Sequence, residues 1–321
     1  MYSQEQTKAI SVAGLMLIYL LSVGLLFFNP HFQILNRAYD TFSLLTINKF
    51  WALFINLIFL GSNSFFISKI FTKRGRDVAE GNILAFVYLL IHNKIWFLNT
   101  LNHYLVRDFF ILFFLFFIYP REVKQRLLVF YLSILFSTGF LIGIHMVYTF
   151  IIPVIIIEIF LISDWKIWIV FLLGFSLPIY LYITVFWLFD KDPFLYLNVL
   201  IKHSMYPIKV LADIKDSGVN GWRWTDVSVV FTLSLLLVSG IREWIYVHTY
   251  PVRDRQLALF FFLLMALSLV HYGLVYYWYK PYALPVMALP FSYYVGKLIN
   301  KISLSFRYLV LFLLIILTSF L

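Results

Sequence analysis

Apolar runs of membrane-spanning length alternate with short polar breaks along almost the whole chain. A hydrocarbon core about 30 Å thick takes about 20 apolar residues per helix, and a helix satisfies its own backbone hydrogen bonds there. The pattern predicts spans near 10–29, 46–68, 82–98, 108–119, 127–143, 146–162, 167–189, 227–247, 257–279, 282–297 and 306–321. That makes about eleven, within a range of about nine to twelve. The run at 108–119 is short, and Gly143-Ile144-His145 holds little turn chemistry. Residues 127–162 therefore read either as two helices or as one long tilted helix with a re-entrant piece. No small-x-small cleavage site follows 10–29, so that run is read as a span. The predicted fold class is all-α: a polytopic integral membrane protein forming a single membrane domain over 1–321.

Composition agrees with the pattern. Hydrophobic residues make up 63% and charged residues 12% of the 321, against about 45–50% and about 25% in soluble domains. Mean hydropathy is +0.90. The formal net charge of +10 would suit nucleic acid, yet the basic residues lie in short clusters between apolar runs, where they set topology and meet anionic lipid. The partner expected is membrane lipid, with no nucleic acid. Lys69, Lys73, Arg74 and Arg76 form one block; Arg121, Lys124 and Arg126 a second; Arg253 and Arg255 a third; Lys297, Lys301 and Arg307 a fourth. With the spans above, all four fall on one face, which the positive-inside rule makes cytoplasmic, with the N-terminus inside and the C-terminus outside.

The opposite face collects the unusual residues. Arg37 and Asp40 lie in the first outer loop; His92 and Lys94 end the third span; His103, Arg107 and Asp108 lead into the fourth; His145 sits at an outer turn. His271 lies in the ninth span, followed by Tyr276 and Lys280. In the long outer segment 190–226, Phe194, Leu197, Leu200 and Ile201 recur at helical spacing, with His203 beyond them, predicting an interfacial amphipathic helix. Arg and Lys in such a set would hold a phosphate or pyrophosphate headgroup. The competing reading is that Lys94 or Arg107 pairs with Asp108 and snorkels to the headgroups, with each histidine a satisfied interfacial residue. Glu158, set among isoleucines toward the inner end of the sixth span, is a proton-relay candidate or a lone acid with one partner.

Absences narrow the chemistry. GxxxxGK[ST], GxGxxG, HExxH and GxSxG do not occur, so the NTPase, dinucleotide, zincin and serine-hydrolase readings lack their motifs. The chain has no cysteine, and no two of its seven histidines are spaced i, i+3 or i+4; no metal and no cofactor is expected.

Ser62-Asn63-Ser64 with Lys69, His92-Asn93-Lys94, Tyr119-Pro120-Arg121-Glu122, Gly139 to Ile144, and Gly174-Phe175-Ser176-Leu177-Pro178 ahead of Phe186-Trp187-Leu188-Phe189-Asp190 carry a resemblance. This stretch resembles an uncharacterised family of bacterial polytopic inner-membrane proteins, some of whose members bear a transferred beta-carotene monooxygenase label. The resemblance implies the inner membrane and brings no activity. The His-Gly-x-x-Asp-His type ligand clusters of membrane carotenoid oxygenases are missing here, so that chemistry is set aside. A looser likeness is to glycosyltransferases that use polyprenyl-phosphate-linked sugars, which carry an acid in the first outer loop and cations where the lipid phosphate sits. It implies Asp40 as catalytic base or metal-site ligand and Arg37, Lys94 and Arg107 on the phosphate; the alternative is that Asp40 only pairs with Arg37. Three functions stay open: an envelope protein handling a lipid-linked sugar or other anionic amphiphile at the outer leaflet, a transporter or flippase, and a non-catalytic membrane subunit scaffolding a membrane-protein partner.

Overall fold

The computed structural model describes residues 49–72, 78–92, 102–118, 125–142, 146–161, 164–195, 197–198, 201, 224–279 and 286–320. Among the described residues the chain is helical throughout and has no strand. The α-helices are α1 (Lys49–Thr72), α2 (Val78–Ile91), α3 (His103–Ile118), α4 (Gln125–Ile142), α5 (Met146–Phe160), α6 (Trp165–Leu188), α7 (Trp224–Tyr246), α8 (Val252–Tyr279), α9 (Ala288–Lys301) and α10 (Leu304–Phe320). Each expected span except the first overlaps one of these helices; 10–29, and 93–98 of the third span, lie outside the described residues. Four helices, α1, α6, α7 and α8, contain stretches long and apolar enough to cross a membrane. Helix α2 falls short by length: it has 14 residues, about 21 Å of helix at about 1.5 Å per residue. The stretch 127–162, open in the sequence, forms two separate helices, α4 and α5.

The chain divides into two compact units. In the first, comprising 1–102, 220–251 and 265–321, α2 packs against α1 and α9, and α7 against α9 and α10. Two of these helices carry polar groups on the buried face and large apolar side chains on the exposed one. On α1 the buried stripe is Ala52, Asn56, Leu60, Asn63, Ile67 and Ile70, while Phe54, Ile58 and Phe65 are exposed. On α7 the stripe is Thr232, Leu236, Ser239 and Glu243, while Val230, Val238, Ile241 and Ile245 face out. Both stripes follow the i, i+3/i+4 spacing of one helix face. Polar groups turned inward and large apolar side chains turned outward suit a lipid solvent, where interhelical hydrogen bonds and close packing hold helices together. Asn63 Nδ2 donates to the Tyr88 hydroxyl at 2.9 Å, and Ser68 Oγ to Asn82 Oδ1 at 3.1 Å. Gly81 is what lets α1 and α2 approach: a Cβ there would stand 2.6 Å from the Ser68 carbonyl oxygen.

In the second unit, 103–219 and 252–264, α4 contacts α3, α5 and α6. The α4–α6 contact is built on small residues. Ser137 Oγ donates to the Phe175 carbonyl at 2.6 Å, and a Cβ on Gly174 would meet Ser133 Oγ and, at 2.8 Å, the Phe130 carbonyl. Helix α6 starts on Asp164, whose carboxylate accepts from the Ile167 N–H at 2.7 Å, an N-cap geometry. It ends with Asp190 at φ 53; Asp190 N–H bonds the Trp187 carbonyl and Lys191 N–H that of Phe186, which is a Schellman motif with aspartate where glycine is usual. Its buried residues, Ile167, Phe171, Gly174 and Phe175, all precede Pro178. Trp165, Leu172, Leu173, Tyr180, Leu181, Trp187 and Leu188 are exposed. So large an apolar surface is rare on a soluble protein, and tryptophans about 33 Å apart along the helix match the two interfaces of a bilayer.

In the 190–226 segment, Asp192 Oδ1 accepts from the Phe194 N–H at 2.9 Å and caps a helical turn at 193–195, with Phe194 and Leu195 exposed. Of the expected interfacial helix, Leu200 and His203 lie outside the described residues.

Candidate functional site

The start of α3 carries the first cluster. Arg107 and Asp108 are 1% and 0% exposed, and the guanidinium places both Nε and Nη2 on Asp108 Oδ1, at 2.8 and 2.6 Å. Neighbours in sequence do not normally face each other on a helix; here the Arg107 side chain folds back toward the carboxylate. Its Cζ lies 4.5 Å from the Tyr148 ring centroid and 5.3 Å from that of Tyr104. A charge this deep is retained only where a counter-charge and polarisable rings replace its water. Arg107 and Asp108 are thus paired, as the competing sequence reading expected, but the pair is buried within the protein and does not snorkel to its surface. Tyr104 and Tyr148 were not expected, and Tyr104, one helical turn's reach before Arg107, was the visible signal.

The other expected residues that are described lie on α2, α3, α5 and α8 or at their ends. His92 is buried at the end of α2, its ring 4.7 Å from that of Tyr88. His103 is half-buried at the start of α3, His271 is buried on α8, and Glu158 is on the exposed face of α5. Tyr276 belongs to α8, but its side chain lies outside the described residues, as do Arg37, Asp40, Lys94, His145, His203 and Lys280. Among the described residues no group of three or more His, Asp or Glu is placed to hold a metal ion.

No family model, curated protein or solved structure matches the chain.

A second cluster, in the first unit, was not anticipated. Buried Glu243 of α7 forms an ion pair through Oε1 with the buried ammonium of Lys297 on α9, and through Oε2 with Lys301 at 3.2 Å. Lys297 Nζ also donates to the Tyr293 hydroxyl at 3.0 Å and stands over the rings of Tyr293 and Tyr250 at 4.6 and 4.9 Å. Lys301 Nζ donates to the Tyr250 hydroxyl at 3.3 Å. Burial pushes the Tyr250 phenol up, a rise that Lys297 opposes and the Glu243 carboxylate adds to, so Tyr250 stays neutral. Tyr293, Lys297 and Lys301 are spaced i, i+4, i+8 on one face of α9. That spacing, and an acid in the apolar run of α7, were legible signals; Lys297 and Lys301 were read only as a topology block.

These contacts also fix directions. Glu243 and Lys297 join the C-terminal ends of α7 and α9, and the rings of Phe71 and Tyr293, 5.5 Å apart, bring the C-terminal end of α1 to the same place. Lys69, Lys297 and Lys301 therefore belong to one end of this unit. Arg307 joins them, donating from Nε to the Ile302 carbonyl at 2.8 Å and from Nη2 to that of Asn300, a cationic cap on the carbonyls that end α9.

Proposed function

We propose that the chain is a multi-pass inner-membrane protein of the cell envelope, with about eleven spans and a cytoplasmic N-terminus. In this reading it handles a polyprenyl-phosphate-linked sugar or a related anionic amphiphile at the outer leaflet. The observation that carries the reading is the Arg107 guanidinium, kept wholly buried at the head of an apolar helix by Asp108, Tyr104 and Tyr148. A desolvated, oriented cation is what a departing lipid phosphate needs. Asp40 acts as base: it takes the proton of an acceptor hydroxyl, the oxygen bonds to the anomeric carbon, and the bond to the polyprenyl phosphate breaks toward Arg37, Lys94 and Arg107. The grouping of Lys69, Lys297 and Lys301 at one end supports the orientation.

Transfer from a panel of polyprenyl-phosphate-linked hexoses, measured with the purified chain, tests it. Asp40→Asn is expected to lower the rate at least about 100-fold, the lower end for general-base loss. Transfer unchanged in Asp40→Asn would sink the assignment. The exposed aromatic and aliphatic face of α6 supports a second reading, a non-catalytic subunit for a membrane-protein partner; stable co-purification of such a partner, with Asp40 dispensable, selects it.

A further inference from the structure

The Glu243 cluster has a charge imbalance. Two ammonium groups share one carboxylate, Tyr250 is neutral, and no second carboxylate among the described residues pairs with either lysine. Lys297 is enclosed, its ammonium occupied by Glu243 and Tyr293 and faced by two rings. Lys301 differs: it is 39% exposed, its two hydrogen bonds are long at 3.2 and 3.3 Å, and it stands at the rim over the Tyr246 and Tyr250 rings. A surplus positive charge at the edge of an apolar body is costly unless an anion approaches it. Beside it, α7 turns out an apolar strip, Val230, Val238, Ile241 and Ile245, that ends in half-exposed Tyr246.

We propose that this rim is a binding site for an anionic glycerophospholipid. The phosphodiester sits on the Lys301 ammonium beside the Tyr246 and Tyr250 hydroxyls, and an acyl chain lies along the α7 strip. Glu243 and Lys297 hold the rim in place from beneath and do not touch the lipid. The cation on α9, the aromatic hydroxyls at and just beyond the end of α7, and the apolar strip of α7 follow one another in the order in which a lipid presents phosphate, glycerol and chain. The cytoplasmic leaflet supplies anionic lipid at the end where the basic residues gather. This site depends on the membrane reading alone and not on glycosyl transfer, so a failed transfer assay leaves it standing.

The test uses the full chain in lipid nanodiscs of phosphatidylcholine with and without phosphatidylglycerol, with lipid retained through a detergent wash measured by mass spectrometry. Wild type is expected to retain phosphatidylglycerol over phosphatidylcholine. Lys301→Gln should reduce that preference about fivefold, the contribution of one lysine near an anionic surface. Lys301→Arg should keep it, and Lys191→Gln, an exposed charge change outside the four basic blocks, should leave it unaltered. Absence of a preference in wild type, or an equal fall in Lys301→Gln and Lys191→Gln, overturns the proposal. Inorganic phosphate raising thermal stability in pure phosphatidylcholine, through Lys301 and as strongly as phosphatidylglycerol does, assigns the site to a free anion and overturns its lipid character.

Discussion

Glu243 has two partners on another helix, and its removal strands both. Breaking a buried pair from one side costs about 3–5 kcal/mol, whereas replacing both members with apolar groups is often neutral. Glu243→Ala should therefore lower thermal stability in detergent by about 3 kcal/mol, and adding Lys297→Met should restore most of it. If the double variant is no better than the single one, Lys297 is not the group left in deficit. Asp190 predicts the opposite sign. Its φ of 53 is comfortable for glycine and strained for aspartate, so Asp190→Gly should stabilise the end of α6 by up to about 1 kcal/mol in the same measurement. At this scale adjacency decides what a sequence reveals. Arg107 and Asp108 are neighbours and their pairing is readable, whereas Glu243 and Lys297 are 54 residues apart and meet only because α7 and α9 pack. An acid inside α7 was visible; its partner was not.

Close backbone approach at a glycine marks two helix contacts in this chain, α1–α2 at Gly81 and α4–α6 at Gly174. Gly174 and Gly61 separate the two roles that a helical glycine can have. A Cβ at Gly174 meets the Phe130 carbonyl at 2.8 Å, whereas at Gly61 nothing lies within 4 Å. Gly174→Val should push α6 from α4 and cost about 1–3 kcal/mol, the range for overpacking; Gly61→Ala should be neutral or raise stability by about 0.5–1 kcal/mol. Equal behaviour of the two variants in a thermal-unfolding series would mean that the close α4–α6 crossing is not a determinant of stability. Helix positions were well marked in the sequence, because apolar length alone locates them. Their inner faces were less so: Asn56 and Asn63, seven residues apart, and Thr232, Ser239 and Glu243 form polar stripes that a search for single charged residues passes over. Boundaries also drifted. Around α9 the apolar run suggests 282–297, while the helix occupies Ala288–Lys301, with Pro290 in the first turn, where its missing N–H leaves no bond unmade.

For the chain as a whole, orientation is the property most open to a decisive measurement, since the absence of cysteine makes it a ready background for single-cysteine labelling. In intact cells, a membrane-impermeant maleimide should label Phe189→Cys directly and Lys301→Cys only after the membrane is opened. Labelling of Lys301→Cys from outside would reverse the assigned topology. The candidate site was the least legible part of the sequence at this scale. Polar residues at one predicted depth need not be neighbours, and of that outer set Arg107 and Asp108 are joined while the acid assigned as base, Asp40, lies outside the described residues.

Pro178 divides α6 into two mechanical parts. Before it, Ile167, Phe171, Gly174 and Phe175 anchor the helix; after it, no residue of α6 is fully buried. Proline removes one backbone hydrogen bond at the junction, so the far part can bend as a lever while the anchored part stays seated on α4. Such a lever adapts to hydrophobic mismatch, leaning over in a thin bilayer and standing upright in a thick one. In vesicles of increasing acyl-chain length, the labelling rate of Trp187→Cys should fall gradually, whereas Pro178→Ala, which stiffens the junction, should make the dependence steeper. The least buried of the four long apolar helices would then be the part of this protein that registers the thickness of the membrane around it.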